Sequence, residues 1–463
     1  MTNRARLRYF SINSNYANTS HRGGKAGSTR MIPHASQHRS SPGRARHCAC
    51  LTLSFALPVA ASALLAVFFA PPATAQKTDV QFLSEEVWSP VQITRETNDV
   101  FKIENHFSFT DARDCKFSWQ LRKFASPLST NAPFTVLREG VLDSPVIPPG
   151  QTGLVNISAA MSKNADALAL RVDDPDGREL WTWVWPLKPG DFRRLAEEPA
   201  EHHAIPVETN GVIAITTGEL TATFGKDTGW LLGVQRGAQK FSLMNGPRLA
   251  VGSATLRQIH FDDDGPDAFV SAKFDGDLKS IFWRVNGNGW INCDYTYTAE
   301  GTNDFFGLLF DYPENLVKHK RWLGDGPNRV WKNWRRGATL GIWENDCDTT
   351  IAGGRGGIYP EFKGFFSGVR WLQLDTAEGW ITVLNNSAVP FVQVLTPEFP
   401  PANLPDGAIV PVPKCGLGFL DAIPPIGSGS KEGRFAGPPG QPAVVPGEYS
   451  GSLSFYFGTL PAL

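Results

Sequence analysis

The dominant hydrophobic period along this chain is two. In CKFSWQLRKF, Cys115, Phe117, Trp119 and Leu121 alternate with Lys116, Ser118, Gln120 and Arg122. Successive side chains of a strand point to opposite faces, so the run predicts a half-buried strand. ALALRV sets Leu168, Leu170 and Val172 on one face, and Asp174-Pro175-Asp176-Gly177 then turns the chain. LWTWVWP alternates Trp181, Trp183 and Trp185, and the closing EYSGSLSFYF aligns Tyr449, Leu453, Phe455 and Phe457. Long stretches with a helical period are missing, and Gly and Pro punctuate short apolar runs. The pattern predicts an all-β chain built of sandwiches.

The pattern breaks once. Residues 189–210 are charged, Pro-bearing and poor in β-branched residues, which predicts a linker with one short helical turn. It separates a first sandwich at 76–188, of immunoglobulin size, from a second and larger one at 211–463. The Pro/Gly-rich stretch before the last strand reads as a surface loop. No solenoid or propeller repeat is present.

Residues 51–70 are uncharged and mostly apolar, basic residues precede them, and Ala73-Thr74-Ala75 offers small residues to a signal peptidase. Twenty such residues also suit a membrane anchor. Pro58 and the A-x-A site favour export with a cut after Ala75, to the periplasm or beyond, leaving no stable membrane span. The leader is long, and Met31 is an alternative start. Residues 1–75 hold nine Lys/Arg and no Asp/Glu, so the remainder carries 35 basic against 45 acidic side chains. A body that acidic argues against nucleic-acid binding. Beyond the leader, Cys115, Cys293, Cys347 and Cys415 either pair in an oxidising compartment or serve as plain core residues. Their spacing and the scattered histidines make zinc a poor expectation. Asp262 to Asp267 (DDDGPD) lack calcium-loop spacing and read as a hairpin tip.

Motifs for cofactor or nucleophile chemistry are absent. There is no G-x-S-x-G, P-loop or H-E-x-x-H, nor the strand-helix alternation of a dinucleotide fold, so no cofactor is expected. Glu314, Asp325, Glu344 and Glu361 flank aromatics, but nothing marks two carboxylates as a hydrolytic pair. The strongest positive signal is RWLGDGPNRVWKNWRR, residues 321–336. Trp322, Trp331 and Trp334 stand there among Arg329, Lys332, Arg335 and Arg336, around an expected rigid turn at Gly324-Asp325-Gly326-Pro327. Tryptophan stacks on apolar faces, sugar rings included, and arginine supplies forked donors. The three tryptophans fit ligand contact and core packing equally well.

That segment, extended to WLGDGPNRVWKNWRRGATLGIWEND, resembles the W-x-G-x-G-P region of family 2 glycoside hydrolases of the β-galactosidase type. Other segments agree in order: GELTATFGKDTGWLLGVQRGAQKFSLMNGPRLAVG with its Asp227-Thr228-Gly229 turn, then GVRWLQLDTAEGWITVLNN, GLGFLDAIPP and PGEYSGSLSFYF. Upstream, VFKIENHFSFTDARDCKFSWQLRKF with Asn105, followed by Pro149-Gly150, is similar to the immunoglobulin-like domain that precedes the large sandwich in those enzymes. The resemblance spans nearly all of 85–460. It implies an immunoglobulin-like β-sandwich followed by a galactose-mutarotase-like supersandwich. The family's catalytic glutamates sit in a TIM barrel ahead of these domains. Here the export segment runs straight into the first sandwich, so no catalytic residue carries over. The family's sugar-closing tryptophan has no counterpart within Gly416 to Ile423, which weakens a galactose expectation.

The resulting expectation is a secreted carbohydrate-binding or accessory protein that is not catalytic alone. Its candidate sugar contacts are Trp322, Asp325, Trp331, Trp334, Arg335 and Asp421. The alternative is the small subunit, or a truncated form, of an exported β-galactosidase-like hydrolase whose barrel is on another chain. An autonomous hydrolase or epimerase using unmarked carboxylates is a further reading.

Overall fold

The computed structural model describes residues 87, 89–129, 132–157, 164–188, 192–335, 337–347, 362–387, 389–397, 411–425, 443–444 and 447–461. The leader, its expected cut after Ala75, Arg336 and Glu361 lie outside them. The described chain is all-β, with three short 3-10 turns. No helix among the described residues is long and apolar enough to cross a membrane.

The smaller sandwich pairs a three-stranded with a four-stranded antiparallel sheet. The first orders Val91–Arg95, Val100–Asn105 and Thr152–Asn156, the second Phe134–Leu142, Lys116–Phe124, Ala167–Asp173 and Glu179–Pro186. The alternation in CKFSWQLRKF is observed, with Phe117, Trp119 and Leu121 packing against Phe101 and Ile103 of the facing sheet. Buried Asn105 closes one end. Its amide donates to the Thr110 and Ile147 carbonyls at 2.9 and 2.8 Å, and its Oδ1 accepts from Phe107 N.

The larger sandwich encloses its core between a ten-stranded and a nine-stranded sheet. Expected turns appear at Asp227-Thr228-Gly229 and at the DDDGPD tip, where Gly229 and Gly265 take φ of 69° and 65°. The short helical turn expected in the linker is Arg193–Leu195. The linker is not strand-free, however. Ile205–Thr209 pairs with Val212–Thr217 as an edge strand of the ten-stranded sheet. Pro206 and an outward Glu208 suit an edge and mask the strand signal.

Two further apolar layers lie outside these cores. Phe124 and Ala167 of the smaller sandwich pack with Trp290, Leu323, Leu340, Trp371, Leu384 and Tyr456, joining it to the outer face of the nine-stranded sheet. This is why ALALRV is buried on both faces: Leu168 and Leu170 face their own core while Ala167 meets the neighbour. The second layer sits on the outer face of the ten-stranded sheet, where Leu309, Phe391 and Leu420 point away from the main core. Together with Phe365 of the same sheet they are covered by Val330 and Trp331.

Candidate functional site

The Trp-rich segment is mostly architecture. Gly324, Asp325 and Gly326 do not form the expected rigid turn but end the strand Val317–Gly326. Their spacing serves close approach instead. A Cβ on Gly324 would stand 2.9 Å from the Val369 Cα, and one on Gly326 would stand 2.5 Å from the Trp343 ring and 2.9 Å from Trp322. Trp322 is 1% exposed, tilted against Phe366 at 4.9 Å, and donates its Nε1 to the Asp325 carbonyl. Trp331 is 2% exposed and meets Phe365 edge-on at 5.4 Å, in the layer capping the ten-stranded sheet. Neither ring presents a face to a ligand. Trp334, at 38% exposure, does, and its backbone closes the tight turn with Trp331.

Two cations of this segment lie over rings. Arg329 lies over Trp331 at 5.1 Å and Arg335 over Phe391 at 5.3 Å. Lys320, which nothing in the sequence singled out, is fully buried among Phe366, Phe362 and Trp322 and donates to the Phe362 carbonyl. Asp325 accepts from Ser367 Oγ at 2.6 Å. Burial raises its carboxyl above the usual carboxylate range, against the opposing pull of Ser367, Arg335 and Arg370. Asp421 belongs to another cluster, accepting from the Tyr297 hydroxyl at 2.5 Å near Tyr295 and Tyr449. Burial, then that carboxylate, pushes the Tyr297 phenol well up. None of the six candidates lines either of the two clefts described next. The thiols of Cys115, Cys293 and Cys415 are free, and burial raises their pKa.

A cavity exists elsewhere, on the outer face of the nine-stranded sheet. Cross-strand registers there align side chains in rows. One row, Ile342, Leu323, Trp371 and Leu384, is apolar and meets the smaller sandwich. Two residues further along each strand the next row is Glu344, Arg321, Gln373, Thr382 and Tyr456. Beyond it come Asp346, His319, Asp375 and Trp380. Pro127, Leu128 and Pro133 of the smaller sandwich overhang these rows, leaving a cleft of about 500 Å³. Its polar lining is His319, Arg321, Glu344, Gln373 and Thr459, with Trp380 as the aromatic wall.

The side chains in the cleft differ in how far they are satisfied. His319 Nδ1 meets Asp346 at 2.8 Å, and Gln373 Nε2 donates to Thr382 at 3.3 Å. Arg321 lies over Trp371 at 5.2 Å, and burial holds its pKa below the usual arginine value while nearby Glu344 opposes the shift. Across Pro133 and Ile342 a second cleft, of about 640 Å³, runs along the outer face of the four-stranded sheet past Gln120, Arg122, Arg171, Glu179 and Trp343. Its charges are more committed: Arg171 pairs with Asp173 and Glu179, and Arg122 donates to Gln120 and stacks on Phe134 at 4.1 Å.

No family model and no curated protein matches this sequence.

Each cleft has one carboxylate among its lining residues, Glu344 in the first and Glu179 in the second. An arginine fork, an amide, a carboxylate and an indole wall suit reversible binding of a polyhydroxylated molecule. Glycoside cleavage needs two opposed carboxyl groups. Of the sequence's carboxylate candidates, Glu344 reaches the cleft, Glu314 pairs with Lys363, and Asp325 is tied to Ser367. Arg321 opens the Trp-rich segment, and Gln373 and Trp380 lie in GVRWLQLDTAEGWITVLNN, but neither they nor His319 stood among the expected sugar contacts. Alternation in KHKRWL separates His319 and Arg321 from Lys320 and Trp322, but it does not say which set faces inward.

Proposed function

We propose that this chain is a carbohydrate-binding accessory protein, related to the C-terminal domains of β-galactosidase-type glycoside hydrolases and not catalytic by itself. The cleft bearing Arg321, Gln373, Glu344 and Trp380 carries the reading. Its volume falls in the range of small-ligand sites, and its mixture of one indole with few polar groups is the usual makeup of such sites. The single carboxylate in its lining supports binding over cleavage. Secretion, expected from the leader, would put the cleft where free glycans are met.

A glycan array probed with the purified chain tests this. Binding to a defined saccharide class, lost in Trp380→Ala with thermal unfolding unchanged, is the expected result. Turnover of nitrophenyl glycosides by the purified chain alone, abolished in Glu344→Gln, would overturn the non-catalytic half of the reading.

The second reading is the barrel-less partner of an exported hydrolase. It draws support from the strand Phe134–Leu142, an edge strand of the four-stranded sheet with Val136, Leu137 and Val141 exposed. An open apolar edge suits association with another chain.

A further inference from the structure

We infer that Arg321 makes the first cleft selective for a saccharide carrying a carboxylate, a uronate unit whose acid group the guanidinium holds in its fork. The inference rests on the carbohydrate-binding reading above and adds the ligand's charge to it.

Two polar groups in the cleft already have partners. His319 has Asp346, and Gln373 has Thr382. Arg321 is flanked across the strands by Glu344 on one side and Gln373 on the other. Among the described residues it makes no ion pair or hydrogen bond. Its one ring contact is Trp371, and it is only partly exposed. The guanidinium is half-shielded from water and has no acceptor within the described chain, so it is open to one brought by a ligand. The five donors of arginine match a planar carboxylate through two parallel bonds. Glu344 next to it disfavours a multiply charged group, so one carboxylate fits better than a phosphate or a cluster of sulfates.

The rest of the cleft supplies the sugar contacts. Trp380 offers an indole, and the Gln373 amide stands between it and Arg321 in the strand register. Trp380 lies two strands over and one row along from Arg321, about 12 Å by strand geometry. A ligand touching both spans more than one ring. The expected ligand is an oligomer with at least one uronate.

The test measures binding of the full chain to oligogalacturonate by calorimetry. The comparison ligands are the methyl-esterified oligomer, a neutral hexose oligomer of the same length and a sulfated oligosaccharide. The acid form should bind about tenfold or more tightly than its ester. Arg321→Met, which keeps the stem, should erase that preference, while Trp380→Ala should weaken every ligand. Equal affinity for acid and ester, or a preference for the sulfated ligand, overturns the uronate inference and leaves the carbohydrate reading standing. No binding of any saccharide overturns both. Acid against ester is compared on the unaltered chain, so the inference stays testable if Arg321→Met does not fold.

Discussion

The Trp-rich segment and the cleft over the nine-stranded sheet are made from the same residue types, tryptophan and arginine set on strands, yet they end in opposite states. In the segment the rings and cations serve one another: Arg329 covers Trp331, Arg335 covers Phe391, and Trp322 and Trp331 close two different cores. In the cleft Arg321 also touches a ring, but its polar face has no acceptor among the described residues, and Trp380 belongs to none of the packed clusters. A density of aromatics and cations therefore says little about binding. What separates Trp322 and Trp331 from Trp380 is whether a facing layer buries the ring.

The largest test of that contrast is truncation of the rings. Trp331→Ala should lower stability by about 3–5 kcal/mol, the usual loss for a buried large aromatic. Trp334→Ala, at the same tight turn but with its ring exposed, should stay within about 0.5 kcal/mol. Urea unfolding of both variants reads the difference. Equal, small losses would mean that Trp331 is not holding the outer layer on Leu309, Phe391 and Leu420.

A smaller effect probes the glycines. Gly326→Ala puts a methyl against the rings of Trp343 and Trp322, a clash that should cost about 1–3 kcal/mol in the same measurement. Gly324→Ala meets backbone of the segment 367–369 and should be no milder. A neutral Gly326→Ala would return the G-x-G spacing to the turn reading that sequence favours.

The all-β class was legible because the period-two signal is local. Alternation in CKFSWQLRKF and turns such as Asp227-Thr228-Gly229 follow from strand geometry and glycine's tolerance of positive φ. The edge strand Ile205–Thr209 was hidden because its pattern is masked by a proline and a charge. The candidate site was less legible. The lone signal of Trp322, Trp331 and Trp334 is composition, and composition does not say which rings find a facing sheet. Glu344 was noticed for its aromatic neighbours alone. Arg321, Gln373 and Trp380 come from three strands far apart in sequence, and it is register that sets them side by side. Alternation gives two faces per strand, but which face meets the core and which meets the second sandwich is settled by tertiary packing.

The smallest effect concerns Asp325, where the segment's self-sufficiency is least complete. Burial favours its protonated form, and the Ser367 hydroxyl with the charges of Arg335 and Arg370 favours the ionised one. The net direction is upward, so burial outweighs the partners. A carboxyl whose folded pKa is raised gives its full contribution to stability below the ordinary carboxylate pKa and loses it as pH rises through the folded value. Asp325→Asn keeps an acceptor for Ser367 and removes the titration. Thermal unfolding of the two proteins from about pH 3 to pH 7 should therefore show the variant gaining on the wild type as pH rises, then levelling once Asp325 is ionised. The opposite trend, with the variant falling behind as pH rises, would mean that Arg335 and Arg370 hold an ion pair strong enough to overcome burial. The segment would then be a charge cluster first and an aromatic cover second.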